Sequence, residues 1–168
     1  MPELLLLRHA KSDWGDAALG DFERPLAPRG RKAAPRMGRY LEEQGLQPDL
    51  VLCSPARRAR ETLDLLLTAL ASTPEISYLK TLYLAPPSRL LAVLRRQSPD
   101  CGRILLIGHN PGLHRLALAL AGGQAGAPAQ RLAEKFPTAA LARFRVAAWD
   151  SLGETPSALV EFVRPRDL

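Results

Sequence analysis

The chain has 168 residues, of which 46% are hydrophobic and 24% are charged, and its formal net charge is +6. This composition excludes a disordered chain, and the length predicts one domain over residues 1–168 that needs no disulfide or structural metal. The apolar run at residues 4–7 is far shorter than the roughly 20 residues of a membrane helix. We therefore expect a cytoplasmic protein that does not enter a membrane.

Three short apolar runs predict buried strands at residues 4–7, 50–53 and 104–107. Each run ends at a polar turn and is followed by a helical pattern. Two later segments, 140–146 and 158–163, also read as strands.

The helices are predicted from apolar residues at helical spacing. Residues 33–41 precede Gly45, a residue typical of a helix C-terminus, although Pro35 weakens this prediction. The other helices are predicted at 63–70, at 90–94, and at 113–120 before Gly122-Gly123. Residues 122–128 are rich in Gly, Ala and Pro and are predicted to form a loop. Strands that alternate with helices predict an α/β fold, a three-layer α/β/α sandwich with a mostly parallel central sheet.

The positive charge raises the question of nucleic-acid binding. Lys and Arg total 23 against 17 acidic residues, but the cations are scattered and only 5% of the residues are aromatic. We therefore expect no nucleic-acid partner, and attribute the charge to attraction for phosphorylated substrates. Cys53 and Cys101 have neither the number nor the spacing of a disulfide framework or a zinc site.

Polar residues follow the three predicted parallel strands, at the sheet edge where open α/β sheets bind ligands. Arg8 and His9 follow the first strand, Arg58 lies soon after the second, and His109 follows the third. Arginine binds phosphate oxygens bidentately, and a neutral imidazole can act as a nucleophile. This combination favours phosphoryl transfer. His114 lies within an apolar helical stripe, so we interpret it as structural.

Three motifs in this order resemble those of the histidine phosphatase superfamily, which has a phosphoglycerate mutase-like fold. Leu-Leu-Arg8-His9-Ala10 resembles its Arg-His-Gly signature, and residues 54–62 resemble its second phosphate-binding segment, in which Arg58 precedes alanine. Gly108-His109-Asn110-Pro111 resembles the motif of the second histidine. The resemblance covers about residues 4 to 115.

The resemblance implies that His9 attacks phosphorus and becomes phosphorylated while Arg8, Arg58 and His109 surround the phosphoryl oxygens. Water then hydrolyses the phosphohistidine, and the scheme requires neither a metal nor a cofactor. A hydrogen bond from the other nitrogen of His9, for example to a backbone carbonyl, should fix its tautomer. A protonated His109 would add positive charge. Contacts to substrate are also expected from three further residues: Lys11, Ser12 and Asn110.

The chain departs from the family pattern at two places, and the second bears on the substrate. Ala10 replaces the usual glycine, and residues 82–87 lack the carboxylate that many members use as a general acid. An alkoxide leaving group needs a proton, whereas the imidazole of phosphohistidine needs much less help. The missing acid and the short chain resemble the small SixA-like phosphohistidine phosphatase branch, which implies a phosphorylated protein as partner.

Several alternatives stay open at this point. The chain could act on small phosphate esters, as a mutase, or as a phosphate-binding module without catalysis. A substitute acid could come from the loop after His9, which contains four carboxylates: Asp13, Asp16, Asp21 and Glu23.

Overall fold

A computed structural model describes residues 1–168 as six strands and five helices. The strands are β1 (Glu3–Arg8), β2 (Leu50–Cys53), β3 (Glu75–Tyr78), β4 (Arg103–Gly108), β5 (Leu141–Arg145) and β6 (Ala158–Val163). They form one sheet in the order β3-β2-β4-β1-β5-β6. The pairs β2–β3, β2–β4 and β1–β4 are parallel, whereas β1–β5 and β5–β6 are antiparallel. The predicted α/β fold with a mostly parallel sheet is confirmed.

The helices are α1 (Pro28–Glu43), α2 (Arg57–Leu67), α3 (Pro87–Arg95), α4 (Gly112–Ala121) and α5 (Ala127–Glu134). Short 3-10 helices occupy Asp21–Glu23, Lys80–Leu82 and Pro165–Asp167. None of the helices combines the length and hydropathy needed to cross a membrane. Helix α1 continues through Pro35 because its apolar face is buried, which outweighs the lost backbone hydrogen bond.

Two local predictions need correction. Residues 122–128 were predicted to be a loop, but α5 begins at Ala127 and places Pro128 in its first turn. The missing N–H of proline costs nothing there, because first-turn amides lack partners within the helix. Strand β3 was not predicted, since it is a partly exposed edge strand without a continuous apolar run.

Strand β1 shows how the three layers form. Its four leucines are fully buried and alternate between the two faces of the sheet. Leu4 and Leu6 join a core of 26 residues that includes the apolar faces of α3 and α4. Leu5 and Leu7 join a core of 14 residues with α1 and α2. Burial on both sides explains why the run is continuously apolar.

The sheet order brings the predicted site together. Because β2, β4 and β1 are neighbours and run parallel, the loops that follow Cys53, Gly108 and Arg8 share one edge. Helix α1 approaches this edge closely, since a Cβ at Gly30 would lie only 2.2 Å from the backbone oxygen of Lys11. Only glycine permits that approach.

Candidate active site

A cleft of about 220 Å³ opens at this edge and is lined by side chains from all three loops. It contains all seven residues predicted to form the site: Arg8, His9, Lys11, Ser12, Arg58, His109 and Asn110. The ring centroids of His9 and His109, one hundred positions apart in the sequence, are separated by 5.2 Å. The predicted residues therefore converge on one place.

The imidazole of His9 is held in one tautomer by the backbone. Its Nδ1 lies 2.7 Å from the carbonyl oxygen of Ala10. A carbonyl can only accept, so Nδ1 carries the hydrogen and Nε2 keeps its lone pair, which accepts a long hydrogen bond from Arg58 Nε at 3.4 Å. Burial and the charges of neighbouring residues, including Arg58, lower the pKa of His9 to about 3. The predicted hydrogen bond to a backbone carbonyl is present, and the imidazole is unprotonated at neutral pH.

His109 is also neutral in this structure, in contrast to the cation considered from the sequence. Burial and the charge of Arg58 lower its pKa to about 3. A guanidinium only donates, so the 3.3 Å contact between Arg58 Nη2 and His109 Nδ1 makes Nδ1 the acceptor. Its Nε2 then donates to Ser54 Oγ at 2.7 Å. A phosphate dianion next to the ring would raise this pKa again.

The guanidinium of Arg58 links the two histidines. The side chain is almost fully buried, and its Nε lies 3.4 Å from Nε2 of His9. Its Nη1 donates to the backbone oxygen of Asp21 at 2.7 Å, and its Nη2 to the Asp21 carboxylate at 3.0 Å. One planar cation is thus fixed next to His9, His109 and the Asp21 carboxylate.

Arg8 adds a second cation that has no acidic partner. Its Nη1 donates to the backbone oxygen of Phe136 at 3.1 Å, while its buried Nε has no hydrogen-bond partner. Asn110 donates to the same oxygen at 2.9 Å, and its own side-chain oxygen is likewise unpartnered. Of these two unpartnered atoms, Arg8 Nε is a donor, and an unpaired buried cationic donor next to a cleft is typical of a site that binds an anion, whereas the Asn110 oxygen is an acceptor.

Arg24 is a third guanidinium in the cleft, and the sequence did not single it out. It is buried, donates to Ser12 Oγ at 2.6 Å, and lies 3.4 Å from the ring centroid of Trp14. Ser12 therefore acts in this structure as a support for Arg24. Lys11 lines the rim and is exposed.

Asp21 is the carboxylate that reaches the cleft. It accepts hydrogen bonds from Arg58, Arg24 and the hydroxyl of Tyr83. Partial burial would raise its pKa, but these hydrogen bonds and the charge of Arg58 outweigh burial and lower it to about 2. Asp21 is therefore ionised at neutral pH and holds no proton to donate.

The other carboxylates of this loop do not line the cleft. Asp13 accepts from the backbone N–H of Gly15 and Asp16 from that of Ala18, so both stabilise local turns. Glu23 is exposed to solvent. Their carboxylates therefore lie outside the site in this structure.

A threonine ties two of the loops together. Thr62 Oγ1 accepts from the backbone N–H of Ala10 at 2.9 Å and donates to the backbone oxygen of Arg58 at 2.7 Å. It belongs to the segment 54–62 recognised in the sequence, but its role depends on a contact across 52 positions.

His114 does not line the cleft. Its Nε2 lies 2.6 Å from the backbone oxygen of Leu132.

The two low histidine pKa values predict a pH-dependent stability. The ordinary pKa of histidine is 6.5, and the folded protein lowers it to about 3 at His9 and at His109. Between pH 6.5 and about pH 3 the unfolded chain therefore binds protons at these two residues that the folded chain does not bind. The free energy of unfolding should therefore fall as the pH drops through this window, by roughly 2 kcal/mol per histidine between pH 6.5 and 5. Urea unfolding at pH 7.5 and pH 5.0 measures it. The same loss in a His9→Gln/His109→Gln variant would contradict the assignment to these two residues.

Comparison with known proteins agrees with this geometry. The pattern of the histidine phosphatase superfamily (branch 1) matches residues 4–82, which include Arg8, His9 and Arg58. An uncharacterized protein of Mycobacterium tuberculosis is 38% identical over 163 residues, covering 95% of this chain and 100% of that protein.

Solved structures share the whole fold. A crystal structure from Agrobacterium tumefaciens that is assigned to the phosphohistidine phosphatase SixA has a TM-score of 0.83 and 27% identity. It covers 98% of this chain and 99% of that chain. The protein histidine phosphatase SixA complexed with tungstate has a TM-score of 0.80, 24% identity and 98% coverage of both chains, and shows the same fold.

Proposed function

Because this chain belongs to branch 1 of the histidine phosphatase superfamily, we propose that it is a phosphatase that removes phosphate from phosphohistidine in a protein. In this proposal His9 is the nucleophile, and Arg8, Arg58 and His109 bind the phosphoryl oxygens. Lys11, Ser12 and Asn110 complete the phosphate-binding side of the cleft, with Ser12 acting through Arg24.

The reaction proceeds in two displacements. The lone pair on Nε2 of His9 attacks phosphorus, and the bond from phosphorus to the leaving group breaks with its electron pair on the leaving group. Water then attacks the phosphorus of phosphorylated His9, the P–N bond breaks, and its electrons return to Nε2. The water proton passes to the released phosphate or to solvent. Fixed guanidinium groups stabilise the charge on the phosphoryl oxygens in both steps.

The observation that carries the choice of substrate is the state of Asp21. It is the one carboxylate that lines the cleft, and its hydrogen bonds keep it ionised. A serine or sugar alkoxide would leave without a proton donor, which costs about 10²- to 10⁴-fold in rate. The imidazole of phosphohistidine is a much better leaving group. The names of the SixA structures agree with this choice of substrate.

A substrate panel tests the proposal. We expect kcat/KM for a phosphohistidine peptide to exceed that for the matching phosphoserine peptide and for a small phosphomonoester by at least about 10²-fold. Rates with and without a chelator test the independence from metals. In an Asp21→Asn variant, activity towards phosphoserine should not fall more than activity towards phosphohistidine, because the carboxylate holds no proton to donate.

Two results would contradict the proposal. Equal rates on all three substrates would assign the protein to general phosphomonoesters. A selective loss of phosphoserine hydrolysis in Asp21→Asn would show that Asp21 acts as the general acid after all.

A further inference from the structure

A second, strongly basic cleft adjoins the candidate active site. It encloses about 170 Å³, and five of its nine lining residues are Lys or Arg while none is acidic. Lys11 and Thr138 line both this cleft and the active-site cleft, so the two clefts are direct neighbours. We call this cleft the basic groove, after its five cations: Lys11, Arg29, Lys135, Arg164 and Arg166.

Most of these cations have no role in the fold. Lys11, Arg29, Lys135 and Arg166 are exposed, and the structure gives their side chains neither an ion pair nor a hydrogen bond. Only Arg164 is neutralised, through Asp167 at 2.9 Å. Four unpaired cations side by side repel one another and concentrate positive potential in a concave surface, which attracts anions.

The positive surface continues along α1. A neighbouring groove shares Arg29 and Arg166 with the basic groove and adds Lys32 and Arg36. Arg29 and Arg36 are seven positions apart on the helix, which is roughly 10 Å along its axis. The surface is therefore too long for one small phosphate ester bound at His9, but an extended peptide of about four residues would cover that distance.

The chemistry of the two grooves favours a peptide over a nucleic acid. None of their lining residues is aromatic, so nothing could stack on exposed bases. The nearby acidic side chains, Asp167 and Glu134, act on Arg164, and Arg36 donates to the backbone oxygen of Leu168 at 2.7 Å. The other cations of the two grooves have no such partner. Carboxylates on a flexible segment could meet these cations one by one.

We propose that the basic groove binds an acidic segment of the phosphoprotein while its phosphohistidine occupies the active-site cleft. This inference rests on the proposed function, since it places the phosphorylated residue at His9. Lys11, at the junction of the two clefts, lies between the phosphate and the first carboxylate of the segment. The groove would thus select acidic phosphoproteins among all those that carry phosphohistidine.

Three synthetic peptides of equal length test the proposal. Each carries one phosphohistidine, flanked on one side by four aspartates, four serines or four lysines. At low ionic strength we expect kcat/KM of the native protein to be about tenfold higher for the aspartate peptide than for the serine peptide. The lysine peptide should be slowest, and 0.5 M salt should remove the difference.

The variant Arg29→Glu/Arg166→Glu should lose this preference and keep the native kcat on phosphoramidate, which cannot reach the groove. The matched control is Arg96→Glu/Arg145→Glu, which changes the charge equally. Arg145 lies opposite Glu3, the first residue of β1, in the β1–β5 register. Arg96 directly follows α3, and its neighbour Gln97 lines a cleft with Pro2. Both exposed arginines therefore lie at the opposite edge of the sheet, and the control should keep the preference.

Fluorescence anisotropy measures the affinity of the unphosphorylated peptides. This affinity reports on binding in the groove independently of phosphate hydrolysis at the active site. If no phosphohistidine peptide is hydrolysed, the proposed function fails, but tighter binding of the aspartate peptide that is lost in Arg29→Glu/Arg166→Glu still supports the groove. Equal binding of the aspartate and serine peptides, or a preference that survives in the groove variant, overturns the inference. The inference is also overturned if a 12-nucleotide RNA binds the native protein more tightly than the aspartate peptide does, and if this RNA binding is lost in Arg29→Glu/Arg166→Glu.

Discussion

Replacement of His9 by asparagine is expected to lower kcat by at least about 10³-fold and to abolish a phosphorylated enzyme intermediate. The asparagine amide can still donate to the carbonyl oxygen of Ala10, which His9 Nδ1 contacts at 2.7 Å. It offers no lone pair in place of Nε2. The variant therefore removes the proposed nucleophile and retains the local support of the loop.

The measurement is a rapid-mixing experiment with ³²P-labelled substrate, stopped with detergent at alkaline pH. A phosphorylated histidine is stable in base and labile in acid, so brief acid treatment should release the label from the native protein. Label of this kind should be missing from His9→Asn.

His114→Gln is the matched control for loss of a histidine. His114 lies on α4, and its hydrogen bond to the backbone oxygen of Leu132 can be replaced by a glutamine amide. We expect native activity and native labelling from this variant. Acid-labile label on His9→Asn, or activity within tenfold of the native protein, would exclude His9 as the nucleophile.

The order of the elements could be predicted where burial dictates the sequence. Strands β1 and β4 are buried on both faces, and each therefore appears as a continuous apolar run. Strand β3 lies at the sheet edge with mixed exposure, so its four residues have no such pattern. Helix α5 buries only Leu132 fully and follows a Gly-rich segment, which explains why its start was interpreted as a loop.

The sequence predicts those site residues that directly follow a recognisable strand. His9 and His109 follow β1 and β4 directly, and the sheet order brings them together. Arg24 lies in a loop between a 3-10 helix and α1, and nothing in its local sequence distinguishes it from a solvated arginine. Only its contacts with Ser12 and Asp21 place it in the cleft.

The identity of a general acid could not be predicted from the local sequence either. The sequence offered four carboxylates within one loop, and their composition could not rank them. The structure brings Asp21 between Arg58 and Tyr83, where its pKa is lowered to about 2. The carboxylate that lines the cleft therefore holds no proton at neutral pH, because the guanidinium groups of Arg58 and Arg24 in the same cleft stabilise its charge.

Asp21 also shows what Arg58 does in the unliganded protein. Two of the guanidinium nitrogens donate to Asp21, one to its backbone oxygen and one to its carboxylate. The carboxylate offsets the charge of a nearly fully buried cation.

Arg58→Lys is expected to lower kcat/KM by about 10²- to 10³-fold, although the positive charge is retained. The guanidinium contacts His9 Nε2, His109 Nδ1 and Asp21 at the same time. An ammonium group is a compact point charge and cannot place donors along all of these directions. Steady-state kinetics on a phosphohistidine peptide measure the loss, and the affinity for inorganic phosphate should fall in parallel.

The neighbouring residue provides the control. Arg57 is partly exposed, and its side chain pairs with Glu61 at 3.3 Å instead of entering the cleft. Surface pairs of this kind contribute little, so Arg57→Lys should keep native kinetics. Thermal melting of both variants separates a local loss of binding from unfolding, because a buried lysine at position 58 could also destabilise the domain. Native kcat/KM in a folded Arg58→Lys variant would show that charge alone is needed at this position, and that the planar fork between the two histidines does not determine the rate.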